Sequence, residues 1–163
     1  MQTFLPINTV DYSEVAKVLD NKRLNKQASE AWQILMVLTK LDPQGNHREP
    51  KGWVNHPAVK MWRGHEYNLG AYALAMVEEW KERNFSSTID EKVKATLKAA
   101  LSKQVVTSLS VNYPSWMSLD GDRVASTHRK ALLVKDYDWY SQFGWEEDPG
   151  YKPIEYEYYW PVD

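Results

Sequence analysis

Arg23, Lys26, Gln27 and Glu30 recur at three- and four-residue steps, and on a helix that spacing puts them in one polar stripe opposite Trp32 and Leu35. A carboxylate among cations and an amide suits proton transfer beside a bound anion. The same spacing describes a solvated face whose Lys26–Glu30 pair contributes only ~0.3–0.5 kcal/mol, and pattern alone favours that plainer reading. His47, His56, His65 and His128 are dispersed. None stands with a carboxylate at the helical step of a metal site, so no metal ligand set is read. His56 precedes Pro57 as a helix cap would, and His65 precedes Glu66 on a helix that needs polar positions anyway. His128, Arg129 and Lys130 together suit a phosphate, and fit a solvated face about as well. Phosphate-binding glycine loops, nucleophile elbows and serine triads are absent from the sequence. With no cysteine there is no thiolate nucleophile, disulfide scaffold or thiolate-bound zinc. No cofactor is implied.

Helices have to position these groups. Asp11 and Glu14 are spaced as a capping box before Val15, Val18 and Leu19, which predicts a short helix over 11–19. Leu24, Ala28, Ala31, Trp32, Leu35 and Leu38 then mark one buried face, predicting a helix from Leu24 to Lys40. Asp42-Pro43-Gln44-Gly45-Asn46 ends it in a turn. With Asn55 or His56 as cap and Pro57 at the first position, an apolar stripe from Val59 to Trp80 predicts the longest helix, reaching about Arg83. Gly64 and Gly70 inside it weaken it locally or mark close approach by another backbone. Thr88 and Glu91 form a second capping box for a helix to about Gln104. Residues 105–121 read as loop, Asp122 to Val134 as helix, and Asp136 to Phe143 as a further turn or two. After Gly144 the prolines at 149, 153 and 161 predict extended coil laid over the body. The fold class is all-α.

At 163 residues the chain fits one domain with its own core. No apolar segment approaches the ~20 residues of a membrane span, so the expectation is a soluble cytoplasmic protein with no membrane partner. Net charge is −2, but the segment 146–163 carries six acidic residues against Lys152. Setting it aside leaves 19 basic and 16 acidic residues in 1–145, a body of charge +3 that an acidic tail can mask. Eight Trp and ten Tyr against three Phe suit half-wet surfaces and base stacking as well as cores.

The segments MQTFLP at 1–6, LDNKRLNKQASEAWQIL at 19–35, GWVNHPAVKMW at 52–62, STHRKALLVKD at 126–136, WYSQFGW at 139–145 and YYWPV at 158–162 follow in an order and spacing that resemble the pyrimidine-dimer DNA glycosylases of the phage endonuclease V type. That resemblance implies a compact helical protein, acting as a monomer on double-stranded DNA in a bacterial or phage-infected cytosol. It would flip a base out and cleave the glycosylic bond. An N-terminal α-amine attacks the sugar carbon, and a Schiff base leads to strand scission by β-elimination. An α-amine ordinarily titrates at about 7.7–8.0, so part of it is available near neutral pH.

By the same resemblance Glu30 matches the family's catalytic carboxylate, and Met1 supplies the amine. Arg23, Lys26 and Gln27, with Lys22 beside them, would grip phosphates or the extruded base. His56, His128, Arg129 and Lys130 are further DNA contacts, and Trp139 and Tyr140 with Phe143 form an aromatic patch that leans on DNA. Two departures stand out. The prototype exposes a threonine amine by losing its initiator, whereas bulky Gln2 here hinders that removal, leaving the Met1 amine or no amine nucleophile. Ser29 stands where the prototype has an arginine before the glutamate. The other functional readings are a modified-base or nucleotide-processing enzyme on the same fold, and a non-catalytic DNA-binding module.

Overall fold

Asp20 decides where the longest helix begins. In the computed structural model, which describes residues 1–105, 112–150 and 154–162, its carboxylate accepts from the Arg23 backbone N–H and caps α2 (Asn21–Thr39), so the helix starts one turn ahead of Leu24. Before it, α1 (Tyr12–Val18) is capped by Asp11, which accepts from the Ser13 N–H at 3.1 Å. Lys40 closes α2 in a left-handed conformation, φ 53°. The expected turn follows, with Asp42 Oδ1 accepting from the N–H groups of Gln44 and Asn46 at 2.9 Å each.

The single helix expected over 56–83 is two. His56 Nδ1 accepts from the Ala58 N–H at 3.0 Å and caps α3 (Pro57–Lys60), but the chain breaks at Gly64, φ +83°, before α4 (Glu66–Glu82). Glycine adopts that left-handed conformation without a Cβ clash, which the apolar stripe does not reveal. The break leaves α2 as the longest helix. It also turns Trp62 wholly into the core, where its indole N–H donates to Thr3 Oγ1 at 2.9 Å. Gly70 does mark a close approach, although by a side chain. A Cβ there would come within 2.7 Å of Leu97 Cδ1 on α5 (Ile89–Ser102). Ser87 Oγ, rather than Thr88, accepts from the first N–H of α5, at 3.2 Å.

Part of the expected loop over 105–121 is a short helix, α6 (Trp116–Leu119), pinned by the Trp116 indole N–H on the Met61 carbonyl at 2.8 Å; residues 106–111 of that stretch lie outside the described residues. Then come α7 (Gly121–Lys135), α8 (Tyr137–Tyr140) and a 3-10 turn, Ser141–Phe143, as expected. The described residues after Gly144 hold no regular element. Ile154, Tyr158, Tyr159, Trp160 and Val162 pack half-buried against the core.

The protein is all-α, with α2 against α4 as the main packing pair and α1 and α5 on the flanks of α4. Leu24, Ala28, Ala31 and Leu35 are buried as their spacing predicts; each leucine contributes roughly 1.5–3 kcal/mol by leaving water. Among the described residues no helix is long and apolar enough to cross a membrane.

The first residues run across this core as a third kind of element, an extended strap. Its N–H groups have no helix to satisfy them and find side chains instead. Phe4 N–H donates to Gln27 Oε1 at 2.7 Å and Leu5 N–H to His128 Nδ1 at 2.9 Å. The Tyr72 hydroxyl donates within reach of both the Phe4 carbonyl, 2.8 Å, and Gln27 Oε1, 2.9 Å. These bonds lay residues 1–3 against the polar stripe of α2.

Candidate active site

Glu30 sits one helical turn beyond Lys26 and Gln27 on α2, where the start of the strap reaches it. Its Oε2 accepts from the Gln2 backbone N–H at 3.2 Å and from the Gln27 amide at 3.4 Å, and its Oε1 lies 3.6 Å from Lys26 Nζ. The carboxylate is largely covered while the lysine is open to solvent. Around it is a cleft of about 390 Å³ whose lining includes Met1, Gln2, Lys22, Arg23, Lys26, Gln27 and Glu30, closed by Phe4, Lys135, Tyr156 and Tyr158. The structure therefore gathers Met1, Lys22, Arg23, Lys26, Gln27 and Glu30 in one place.

Each position has a local cause. Gln27 is buried, its oxygen occupied by Phe4 and Tyr72 and its amide turned to Glu30, so it anchors the strap and aims the carboxylate. Arg23 donates to Asp20 Oδ2 at 3.3 Å. Lys22, Arg23, Lys26 and Lys135 outnumber Glu30 in the cleft, a balance that draws in phosphates. Burial, then neighbouring Tyr156, pushes the Tyr158 phenol up, with Glu30 adding to the effect. It stays protonated near neutral pH and can donate a hydrogen bond. Burial holds His56 below its ordinary value, the N-terminal amine lowers it further and Glu30 opposes; the ring is therefore within electrostatic reach of both groups. Chemically, the cleft pairs a chain terminus with a carboxylate inside a cationic rim.

Several residues assigned to DNA by the sequence are committed to the fold. His128 is fully buried between Phe4, 5.7 Å, and Tyr158, 5.8 Å, and burial drives its pKa down to about 3. It is a neutral anchor for Leu5, not a phosphate contact, because a buried imidazole pays too much desolvation to charge. Arg129 is clasped by Glu147, with Nη2 at 2.9 Å from Oε2, and donates to the Pro6 carbonyl at 2.9 Å. The acidic tail thus neutralises this cation directly. Tyr140 is buried with its hydroxyl donating to Asp20 Oδ1 and accepting from the Asp20 N–H at 3.1 Å. Trp139 donates to the Val18 carbonyl at 2.8 Å and carries Arg83 over its ring at 5.9 Å. Both aromatics brace the α1–α2 junction. Lys130 is half-buried on α7 and does not line the cleft; His56 does not line it either.

Lys135, Tyr156 and Tyr158 do line it, and sequence reasoning passed over them. The tyrosine excess of the tail was the available signal for the last two; Lys135 offered none. Among the described residues no group of three or more His, Asp or Glu is placed to hold a metal ion.

A family model described as pyrimidine dimer DNA glycosylase matches residues 1–92, a span that holds Met1, Glu30 and helices α1 to α4. No curated protein and no solved structure matches the chain.

Proposed function

The chain belongs to the pyrimidine dimer DNA glycosylase family, and from that premise we propose that it excises damaged pyrimidines from double-stranded DNA through an N-terminal amine, with a coupled abasic-site lyase step. One observation carries this reading: the chain terminus and Glu30 share a cleft, joined by the Gln2 N–H on the carboxylate at 3.2 Å. The Met1 amine nitrogen attacks C1′ of the sugar. The glycosylic C1′–N bond breaks, its electron pair leaving with the base, which takes up a proton. Opening of the sugar ring yields a Schiff base; loss of the C2′ proton then expels the 3′ phosphate.

Glu30 serves two of these steps. Its negative charge stabilises the cationic sugar, and its oxygens take a proton from the incoming amine or from C2′. Lys22, Arg23, Lys26 and Lys135 hold the flanking phosphates, and the Tyr158 hydroxyl is a neutral donor across the cleft. Preorganisation of Glu30 by Gln27 and the Gln2 N–H means that little has to move when substrate arrives.

Borohydride reduction of the protein with duplex DNA containing an abasic site tests the proposal. A covalent adduct that peptide mapping places on Met1 supports it. Glu30→Gln is expected to abolish cleavage of dimer-containing duplex without loss of folded structure. Absence of any adduct rules the amine mechanism out, and normal turnover by Glu30→Gln rules out the role assigned to the carboxylate.

A further inference from the structure

Asp20 is engaged beyond what a helix cap requires. A cap needs one oxygen on one N–H, yet this carboxylate has both oxygens occupied and is 5% exposed. Its Oδ1 accepts from the Tyr140 hydroxyl, which in turn accepts from the Asp20 N–H at 3.1 Å. Its Oδ2 accepts from the Arg23 N–H at 3.4 Å and from Arg23 Nη1 at 3.3 Å. Burial pushes the Tyr140 phenol up, and the bond to Asp20 adds to the effect, so near neutral pH the hydroxyl is a permanent donor. Tyr140 is wholly buried and stacked on Trp145 at 5.6 Å. It braces the carboxylate from the core side.

The chain of contacts Tyr140–Asp20–Arg23 therefore runs from the core to the Glu30 cleft, which Arg23 lines. Lys22, Lys26 and Lys135, the lysines of that cleft, are exposed; each is a point charge on a flexible stem. The Arg23 side chain is 17% exposed against 69% for Lys26. Its guanidinium is planar and carries five N–H donors in a rigid fork. With one nitrogen held by Asp20, the remaining donors keep few directions. The Asp20–Arg23 pair has no net charge, so it adds little to the long-range attraction of DNA. What it adds is geometry.

Resting on the function proposed above, we infer that Asp20 is a positioning residue: braced by Tyr140, it fixes the Arg23 guanidinium as a two-pronged clamp on a phosphate of the attacked sugar. The three lysines draw the duplex in, and the clamp sets where the sugar comes to rest relative to Glu30. Misplacement by about 1 Å is enough to cost up to about a hundredfold in rate.

Two duplexes separate geometry from charge, one undamaged and one carrying a tetrahydrofuran abasic analogue that cannot form a Schiff base. Asp20→Asn keeps a capping side chain and an acceptor for Tyr140 but removes a negative charge. It should bind undamaged duplex more tightly, and its preference for the tetrahydrofuran duplex should fall about tenfold, the loss expected from one charge-assisted hydrogen bond. Arg23→Lys keeps the charge without the fork and should lose the preference by the same factor. Because Asp20 acts through Arg23, the double variant should lose no more than either single variant. Cleavage of abasic duplex at saturating protein should fall at least about tenfold in all three. Tyr140→Phe removes the brace and leaves both charges, so it should lower the preference without changing the affinity for undamaged duplex; it carries the test should Asp20→Asn fail to fold. Equal gains on both duplexes by Asp20→Asn, or losses that add in the double variant, overturn the clamp and leave Asp20 a cap. A wild type that does not distinguish the two duplexes overturns it as well. A wild type whose preference depends on Asp20 and Arg23 but which traps no abasic DNA overturns the amine mechanism and leaves the clamp standing.

Discussion

The buried imidazole of His128 makes folding stability depend on pH in a window that can be calculated. In the unfolded chain it titrates at 6.5, and in the folded protein burial lowers it to about 3. Between those values the unfolded chain binds a proton that the folded protein refuses, so stability is fully present above pH 6.5 and is lost as pH falls toward 3. At about 1.4 kcal/mol per pH unit, the move from pH 7 to pH 5 removes about 2 kcal/mol. Carboxylates held low by their partners, Glu147, Asp11 and Asp90, contribute losses only below their ordinary values of 4.5 and 3.8, outside this range. His56 acts in the same direction but is common to wild type and variant. The comparison is therefore with His128→Asn, which keeps an acceptor for the Leu5 N–H and cannot titrate. Urea unfolding at pH 7 and pH 5, followed by circular dichroism, should find the variant weaker at pH 7 and the gap narrower by about 2 kcal/mol at pH 5. Parallel pH profiles for the two proteins would refute the neutral buried imidazole.

Three further outcomes follow from named contacts. Glu147→Gln removes the charge that clasps Arg129 and should cost about 1–3 kcal/mol; it should also speed proteolysis within 144–162, and an unchanged digestion rate would show that the clasp does not hold the tail. Tyr140→Phe deletes the hydroxyl shared with Asp20 at the start of α2 and should lower stability by about 1–2 kcal/mol, read as a shift in urea midpoint; equal midpoints would mean that Asp20 caps α2 unaided. Gly64→Ala meets no neighbour with its new Cβ, so its whole cost is the left-handed backbone, about 1–2 kcal/mol. A neutral or stabilising result would indicate that α3 and α4 can join into the single helix their apolar stripe describes.

Periodicity of side chains made most of the architecture legible in advance. Leu24, Ala28, Ala31 and Leu35 announced both the existence of α2 and its buried face, and the spacing of Arg23, Lys26, Gln27 and Glu30 put them in one stripe, of which the strap then buries Gln27. Such facts are local, because one helical turn relates residues three and four apart whatever the rest of the chain does. Residue types announced the turn at Asp42–Gly45 and the coil after Gly144 for the same reason. A glycine among apolar residues, by contrast, has no pattern of its own, so Gly64 read as a weak point inside one helix until its backbone conformation was visible.

What tertiary structure alone decided is which polar groups face each other from distant parts of the chain. His128 and Leu5, Arg129 and Glu147, Tyr140 and Asp20 meet across separations that no periodicity encodes, and each meeting converts an apparent DNA contact into an internal one. A cation or imidazole in a sequence is the same letter whether it is solvated, paired or buried; only the surrounding packing fixes its desolvation and therefore its charge and availability. The cleft obeys the same logic. Glu30 was visible from its helix, but Lys135, Tyr156 and Tyr158 reach it only because α7 and the tail pack against the strap that carries Met1.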